Sequence, residues 1–251
     1  MNSKERFSNR VEAYQKYRPG YPPEALDYLY SVVGLRSDSR VADIGAGTGI
    51  FSKLLLERGS SVIAVEPNDA MRAAAEKTLK GYPNFRAVSG SAESTGLPDQ
   101  SVEFIVCAQA FHWFDQTAAK AEFQRILQPG GRVVLIWNTR LSKGTPFREE
   151  YDQLLETYGT DYKEVKHTNI SKAMLQSFFK EGTMREKRFS MNQQFDFEGL
   201  KGRLLSSSYS PVPGHPNYHP MIAELRRLFD RHHQNGIVLF EYETEIFWGE
   251  V

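Results

Sequence analysis

Short apolar runs alternate with amphipathic stretches along the first half of the chain, and this alternation predicts the order of strands and helices. Five apolar runs have the length of a strand, and the stretches between them include three in which apolar residues recur with a helical period. The predicted strands are residues 40–44, 61–66, 85–90, 101–108 and 132–137, and the predicted helices are residues 50–58, 69–79 and 117–127. Such alternation is typical of a mostly parallel sheet covered by helices through right-handed crossovers.

The pattern changes in the second half of the chain. Residues 141–179 are polar with apolar side chains at helical spacing, and we expect them to form a lid with its own aromatic core. Two further extended stretches, residues 185–197 and 238–251, lie on either side of a predicted helix at residues 220–233. Residues 7–35 hold two helical stretches. The side chains expected in the lid core are Phe147, Tyr151, Tyr158, Phe178 and Phe179.

Length and composition suit one sizeable domain. The chain has 251 residues, of which 40% are hydrophobic and 12% aromatic, enough for a full core and an appended cap. We therefore predict a single domain over residues 1–251. It divides into an N-terminal helical segment, a ligand-binding core, a lid and substrate region, and a last helix with a last strand, at residues 1–37, 38–139, 140–216 and 217–251.

Charge and cysteine content disfavour several classes of partner. Lys plus Arg and Asp plus Glu each number 31, so no net field draws the chain to nucleic acid or to anionic lipid. The single cysteine, Cys107, lies in an apolar run, and the histidines match no metal triad, so we expect no metal. The first ten residues are polar, and no stretch approaches the roughly 20 apolar residues that span a bilayer. These features predict a cytoplasmic protein with no nucleic-acid or membrane partner.

The loop after the first predicted strand carries the most specific chemical signal. The strand ends near an acidic residue, Asp43, and three glycines, Gly45, Gly47 and Gly49, lead into a helix. Glycine lets the backbone approach a ligand closely, and a helix N-terminus presents free N–H groups. The arrangement predicts a site for a nucleotide-like ligand. A dinucleotide fingerprint, G-x-G-x-x-G, would need glycine where Ile50 stands, which disfavours a nicotinamide cofactor.

The string D-x-G-x-G-x-G at residues 43–49 resembles the first motif of class I S-adenosylmethionine-dependent methyltransferases. Further motifs follow in that family's order: Glu66-Pro67 continuing to Met71, Gly90 to Glu93 after the third strand, and L-Q-P-G-G at residues 127–131. The segment A-Q-A-F-H-W-F at residues 108–114 closely resembles a subgroup related to trans-aconitate and ubiquinone/menaquinone-type small-molecule methyltransferases.

This resemblance implies a fold, a cofactor and a set of binding residues. The fold is an α/β, Rossmann-like, seven-stranded, mostly parallel sheet with helices on both faces, an antiparallel last strand and a helical cap or lid. The cofactor is S-adenosyl-L-methionine, with S-adenosyl-L-homocysteine as product; Asp43 would lie near its amino group and Glu66 on its ribose hydroxyls. The implied cofactor-binding residues are Asp43, Gly45, Ala46, Gly47, Thr48, Gly49, Glu66, Pro67, Asn68, Met71, Ser91, Ala92, Glu93, Gln109 and Ala110.

The sequence predicts the identity of the methyl donor but leaves the identity of the methyl acceptor open. Methyl transfer from a sulfonium is an in-line displacement, so the protein must mainly orient the acceptor and exclude water. A carboxylate acceptor would need only positioning, by residues such as Arg18, Tyr21 or His112. A hydroxyl, phenol or carbon acid would need a general base, for which His112 is the candidate. We expect a methyltransferase of a small molecule, with a carboxylate among the candidate acceptors, that acts as a monomer or homodimer.

Two other functions stay open at this point. The protein could bind the cofactor as a sensor or scaffold without catalysis, since the donor site is far better defined than the acceptor site. A nicotinamide-dependent oxidoreductase on the same fold is the weaker alternative, because the glycine spacing disfavours it.

Overall fold

The computed structural model describes residues 11–164 and 170–251. Within these residues, seven strands form one sheet in the order β3-β2-β1-β4-β5-β7-β6. The strands are β1 (Arg40–Ile44), β2 (Ser61–Val65), β3 (Phe85–Val88), β4 (Val102–Ala108), β5 (Leu127–Arg140), β6 (Arg185–Phe195) and β7 (Val238–Gly249).

Helices connect these strands and cover the sheet. Several begin at a residue whose side chain accepts a backbone N–H of the first turn: Asn68 caps α4, Asp115 caps α5 and Asp196 caps α8. The helices are α1 (Val11–Tyr17), α2 (Pro23–Tyr28), α3 (Ile50–Glu57), α4 (Asp69–Leu79), α5 (Gln116–Ile126), α6 (Pro146–Tyr158), α7 (Lys172–Phe178), α8 (Phe197–Leu205) and α9 (Tyr218–His232).

Strand pairing confirms the expected fold class. Strands β1 to β5 run parallel, with β1 between β2 and β4. The last strand in sequence, β7, lies between β5 and β6 and is antiparallel to both. The carboxyl ends of β1, β2 and β4 therefore meet at one edge of the sheet, where ligands bind in open α/β folds.

Alternate residues of the central strands supply two apolar layers. Ile105 and Leu135 pack on one face, and Val106 and Val134 pack on the other. A third buried cluster joins α6, α8 and α9 to the start of β7 and forms the core of a helical cap.

The expected lid core is divided between two places. Phe147, Tyr151 and Tyr158 do pack in the cap, but Phe178 and Phe179 pack against the sheet, with the Phe178 ring 4.6 Å from that of Phe111. The expectation for this last pair was wrong, because helical spacing identifies an apolar stripe without identifying the layer that covers it.

Some element bounds differ from prediction. Strand β5 begins at Leu127, which pairs with Val102 of β4, rather than at Arg132. Helix α8 was not predicted; Asp196 accepts the N–H of Gly199 at 2.8 Å and starts it directly after β6. No helix in the described ranges is long and apolar enough to cross a membrane.

Candidate functional site

The glycine loop joins β1 to α3 at the carboxyl edge of the sheet. Gly45, Gly47 and Gly49 have φ values of 71°, 58° and 79°, a region that L-residues with a side chain rarely adopt. A Cβ atom at Gly45 would lie 2.6 Å from Cβ of Ala110, so this glycine permits a close approach of two loops. The loop is held in place by a 2.8 Å hydrogen bond from the Gly45 N–H to the Val65 carbonyl.

The last two residues of the loop face inward rather than toward a ligand. A Cβ at Gly49 would lie 2.8 Å from Leu79 and 3.2 Å from Ala75, so this glycine lets α3 approach α4. Thr48 is 2% exposed, and its hydroxyl has no hydrogen-bond partner among the described residues. Neither residue borders the clefts described below.

Asp43 presents a buried carboxyl group beneath the loop. Ser52 donates a 2.6 Å hydrogen bond to its Oδ2, whereas its Oδ1 is buried with no hydrogen bond from any described residue. Burial raises the pKa of Asp43 to about 7. A buried acceptor atom without a donor fits a cationic group, such as the amino group of a methionine moiety.

Glu66 follows β2 and stabilises the loop from the other side. Its Oε2 accepts the N–H of Gly47, and its Oε1 accepts the N–H of Asn68, each at 2.8 Å. Burial raises the pKa of Glu66, although these two hydrogen bonds oppose that shift. Each carboxylate oxygen has a second lone pair, so the group can still accept hydroxyls of a sugar.

A cleft of about 120 Å³ opens between these residues and the turn that follows β4. Its polar wall carries Glu66, Asn68 and Ser91, and its apolar wall carries Met71, Trp113 and other nonpolar side chains. This combination suits a nucleoside, because the carboxylate can accept ribose hydroxyls and the apolar wall can cover a base. The lining residues are Tyr14, Gly45, Gly47, Glu66, Pro67, Asn68, Met71, Ser91, Ala92, Glu93, Ala108, Gln109, Ala110, Trp113 and Phe114.

A second cleft of about 40 Å³ adjoins the first. Both clefts are bordered by Tyr14, Gly45, Ala108 and Gln109, so they meet at the ends of β1 and β4. Gln109 has a φ of 60°, an uncommon conformation for a residue with a side chain and one often found at functional sites. The other lining residues are Arg18, Pro19, Tyr21, Asp43, Ala46, Ile50, Phe51, Asn138 and Arg203.

The three proposed acceptor residues do not all lie together. Arg18 and Tyr21 border the second cleft, where burial raises the pKa of Tyr21 well above its ordinary value. His112 borders neither cleft; its Nδ1 accepts a 3.3 Å hydrogen bond from Nε1 of Trp137, and its ring lies 4.8 Å from that of Trp113.

Several lining residues were missed at the sequence level. Arg203 lies on the unpredicted helix α8, and Asn138 lies near the carboxyl end of β5 with its amide donating to the Gly20 carbonyl at 2.8 Å. Tyr14 belongs to the first helix and Trp113 to the A-Q-A-F-H-W-F segment. A polar residue at the end of a parallel strand was an available signal for Asn138, whereas nothing local identified Arg203.

The described residues contain no group of three His, Cys, Asp or Glu side chains that could hold a metal ion. Donors and acceptors of the two adjoining clefts together fit S-adenosylmethionine. Glu66 in the first cleft offers a carboxylate for the ribose, Asp43 in the second offers a buried acceptor for the amino group, and Gly45, which borders both, leaves room for a close approach.

Comparison with known proteins identifies relatives of the core. A family model for a methyltransferase domain matches residues 42–135. Rv3342 of Mycobacterium tuberculosis, an uncharacterized methyltransferase, is 44% identical over 138 residues, which cover 53% of this chain and 52% of Rv3342. GK2543 of Geobacillus kaustophilus, also an uncharacterized methyltransferase, is 30% identical over 155 residues, covering 59% of this chain and 69% of GK2543. The chain thus spans about half the length of Rv3342.

Solved structures share the fold over nearly the whole chain. A protein of Anaeromyxobacter dehalogenans, described as a candidate type II methyltransferase, superposes with a TM-score of 0.71 at 23% identity, covering 93% of this chain and 98% of the other. YcgJ of Bacillus subtilis gives a TM-score of 0.58 at 22% identity, covering 91% and 98%. At these identities the likeness concerns the fold. Together with the methyltransferase relatives and the matched domain, it establishes that the chain belongs to the class I S-adenosylmethionine-dependent methyltransferases.

Proposed function

We propose that this protein transfers a methyl group from S-adenosylmethionine to a small molecule held in the second cleft. The observation that carries the proposal is that two clefts meet at Gly45, Ala108 and Gln109. One has the donors, acceptors and apolar wall that suit a nucleoside, and the other is small and partly enclosed. A nucleoside in the first cleft can therefore extend its methionine part along Asp43 into the second cleft, where an acceptor beside Arg203 can reach the methyl group.

The bound cofactor supplies a methyl group that is already activated by its sulfonium charge. The chain's own tasks are to bind, to orient and to keep water away. Asp43 and the glycine loop hold the amino end, Glu66 holds the ribose, and the apolar side chains Met71 and Trp113 cover the base.

The proposed acceptor is a carboxylate. Such a group is ionised at neutral pH, so its oxygen can attack without losing a proton and no base is required. The composition of the second cleft agrees with this choice, because Arg203 can position a carboxylate and no histidine borders the cleft within the described residues. A cytoplasmic location and a monomeric or homodimeric state stay predictions.

Incubation with methyl-labelled S-adenosylmethionine and a panel of carboxylates, quinols and small amines tests the proposal. We expect labelled esters from one or more carboxylates. Tight cofactor binding with no transfer to any acceptor would instead favour a sensor or scaffold. Binding of NADH without binding of S-adenosylhomocysteine would favour the oxidoreductase alternative.

A further inference from the structure

Two arginine side chains face the second cleft without an acidic partner. Arg203 lies on α8 and is 6% exposed, and Arg18 follows α1 and is partly buried. Neither guanidinium lies within ion-pair distance of a carboxylate of the described residues, and their partners are hydroxyl, carbonyl and ring groups. Burying an unpaired charge costs free energy, so we expect Arg18 and Arg203 to bind an anion.

The partners of Arg203 are neutral. Its Nε donates to the Tyr242 hydroxyl at 2.9 Å, and its Nη1 donates to the Ser207 hydroxyl at 3.0 Å. These bonds fix the plane of the guanidinium. Its Nη2 donates to no described residue, although the side chain borders the cleft. The Nη2 group therefore keeps its two N–H donors open toward the cleft, and a carboxylate oxygen can accept from them.

Arg18 is held in a similar way close to Arg203. Its Nη2 donates to the Ser206 carbonyl at 3.1 Å, its guanidinium carbon lies 4.9 Å from the centre of the Tyr14 ring, and its Nε is buried without an acceptor among the described residues. Burial lowers the pKa of Arg18, and the charge of Arg203 adds to that effect. The two cations thus share one poorly solvated region.

Two half-buried arginines elsewhere are neutralised by carboxylates. Arg140 is ion-paired with Asp152, and Arg148 is ion-paired with Glu241. Asp43 also borders this cleft, but the cofactor's ammonium would neutralise it, and the methionine part carries only one carboxylate for the two guanidinium groups. After the cofactor has bound, one guanidinium still lacks an anion.

We infer that Arg203 binds a carboxylate of the acceptor and so determines its charge class, while Arg18 receives the carboxylate of the cofactor's methionine part. This inference rests on the proposed function. It makes Arg203 a specificity-determining residue and excludes simple amines as good acceptors, since the cofactor's ammonium would occupy Asp43 and an amine would place a further cation beside Arg203.

The test uses the full chain saturated with S-adenosylhomocysteine, whose own affinity is measured first by isothermal titration. Linear monocarboxylates and dicarboxylates of increasing length are then titrated beside their neutral primary amides. We expect at least one carboxylate to bind about tenfold or more tightly than its amide. Arg203→Met is expected to abolish this preference while S-adenosylhomocysteine affinity stays within about twofold, and Arg203→Lys is expected to restore part of it.

Two controls separate the roles. Arg188→Met removes one positive charge from an arginine that is ion-paired with Glu186, Glu243 and Glu245 outside both clefts, and it is expected to leave both affinities unchanged. Arg18→Met is expected to weaken the binding of S-adenosylhomocysteine. Tyr242→Phe keeps the Arg203 charge but removes one anchor, so it reports on carboxylate preference even where Arg203→Met fails to fold.

Three results would overturn the inference. They are the absence of carboxylate preference across the whole panel, an unchanged preference in Arg203→Met, and an equal loss of cofactor and carboxylate binding in that variant. Failure of S-adenosylhomocysteine itself to bind would reject the proposed function, and this is measured before any carboxylate is added.

Discussion

Ser52 donates a hydrogen bond of 2.6 Å to one oxygen of Asp43, while the other oxygen of that carboxyl group is buried with no donor among the described residues. Helix α3 thus fixes the orientation of the carboxyl group and leaves one oxygen for a ligand. Because burial raises the pKa of Asp43 to about 7, the group is largely protonated just below neutral pH.

The first prediction is that cofactor affinity depends on the ionisation of Asp43. An ammonium group favours the ionised carboxylate, so S-adenosylhomocysteine should bind more tightly as pH rises from about 6 to about 8, with release of a proton. Isothermal titration in buffers of different ionisation enthalpy measures both effects. The Asp43→Asn variant should bind S-adenosylhomocysteine about tenfold or more weakly, and its affinity should no longer change with pH in this range.

The raised pKa of Asp43 also makes the stability of the ligand-free protein depend on pH, and this dependence has the opposite sign to that of cofactor affinity. Since the pKa of Asp43 is above its ordinary value of 3.8, the folded state holds a proton that the unfolded state releases between about pH 4 and pH 7. This group's contribution to stability therefore falls as pH rises through that window. Denaturation of Asp43→Asn should show a smaller fall, and an identical pH profile for both proteins would contradict the assignment.

The second prediction concerns the close approach of two loops. Gly45→Ala should weaken the binding of S-adenosylhomocysteine at least about tenfold, because the new Cβ would lie 2.6 Å from Ala110 and displace the loop. Gly96→Ala is a matched control, since Gly96 has the same φ of 71° but no neighbour within 4 Å of an added Cβ. The control should cost about 1–2 kcal/mol of unfolding free energy from backbone strain and leave cofactor affinity intact. Equal affinities in the two variants would show that the contact with Ala110 is unimportant.

The third prediction distinguishes the two tasks of Glu66. Glu66→Gln replaces one acceptor oxygen by an N–H donor, which cannot pair with the N–H groups of Gly47 and Asn68. We expect a loss of cofactor affinity of about ten- to a hundredfold together with reduced thermal stability. Glu103→Gln is the control, because Glu103 also accepts a backbone N–H, from Arg40 at 2.9 Å, but lies outside both clefts. It should lower stability without changing cofactor affinity.

The fourth prediction concerns His112. Since Nδ1 accepts the indole N–H of Trp137, neutral His112 carries its own proton on Nε2 and acts as a donor there. Because His112 borders neither cleft and a carboxylate acceptor needs no base, His112→Ala should leave S-adenosylhomocysteine affinity and turnover within about twofold. Trp137→Phe, which keeps an aromatic ring and removes the donor, should behave in the same way. A large loss of turnover with intact cofactor affinity would instead assign His112 the role of general base.

Sequence patterns predicted the parts of the fold that depend on local chemistry. The strands from β1 to β4 follow from short apolar runs, and the glycine loop follows from a motif whose backbone needs are the same wherever it occurs. Glu66 was found because its distance along the chain from the loop is set by one helix and one strand.

Residues that depend on long-range packing were not predictable in the same way. Arg203 borders the second cleft only because α8 packs against α1, far away in sequence, and no period or motif encodes that contact. Phe178 illustrates the same limit, since an apolar helical stripe can cover either the cap or the sheet. The part of the site that binds the methyl donor can therefore be predicted from local motifs, whereas the part proposed to bind the acceptor depends on tertiary structure.

The packing of α1 on α8 gives the two clefts a common wall. A Cβ at Gly202 would lie 2.3 Å from the Tyr17 ring, so the helices touch directly at this glycine, and Tyr14 of the same α1 helix borders both clefts. Arg18, which borders the second cleft, follows this helix directly. The proposed donor and acceptor sites therefore share one covering helix, and a substitution that loosens its contact with Gly202 should affect both.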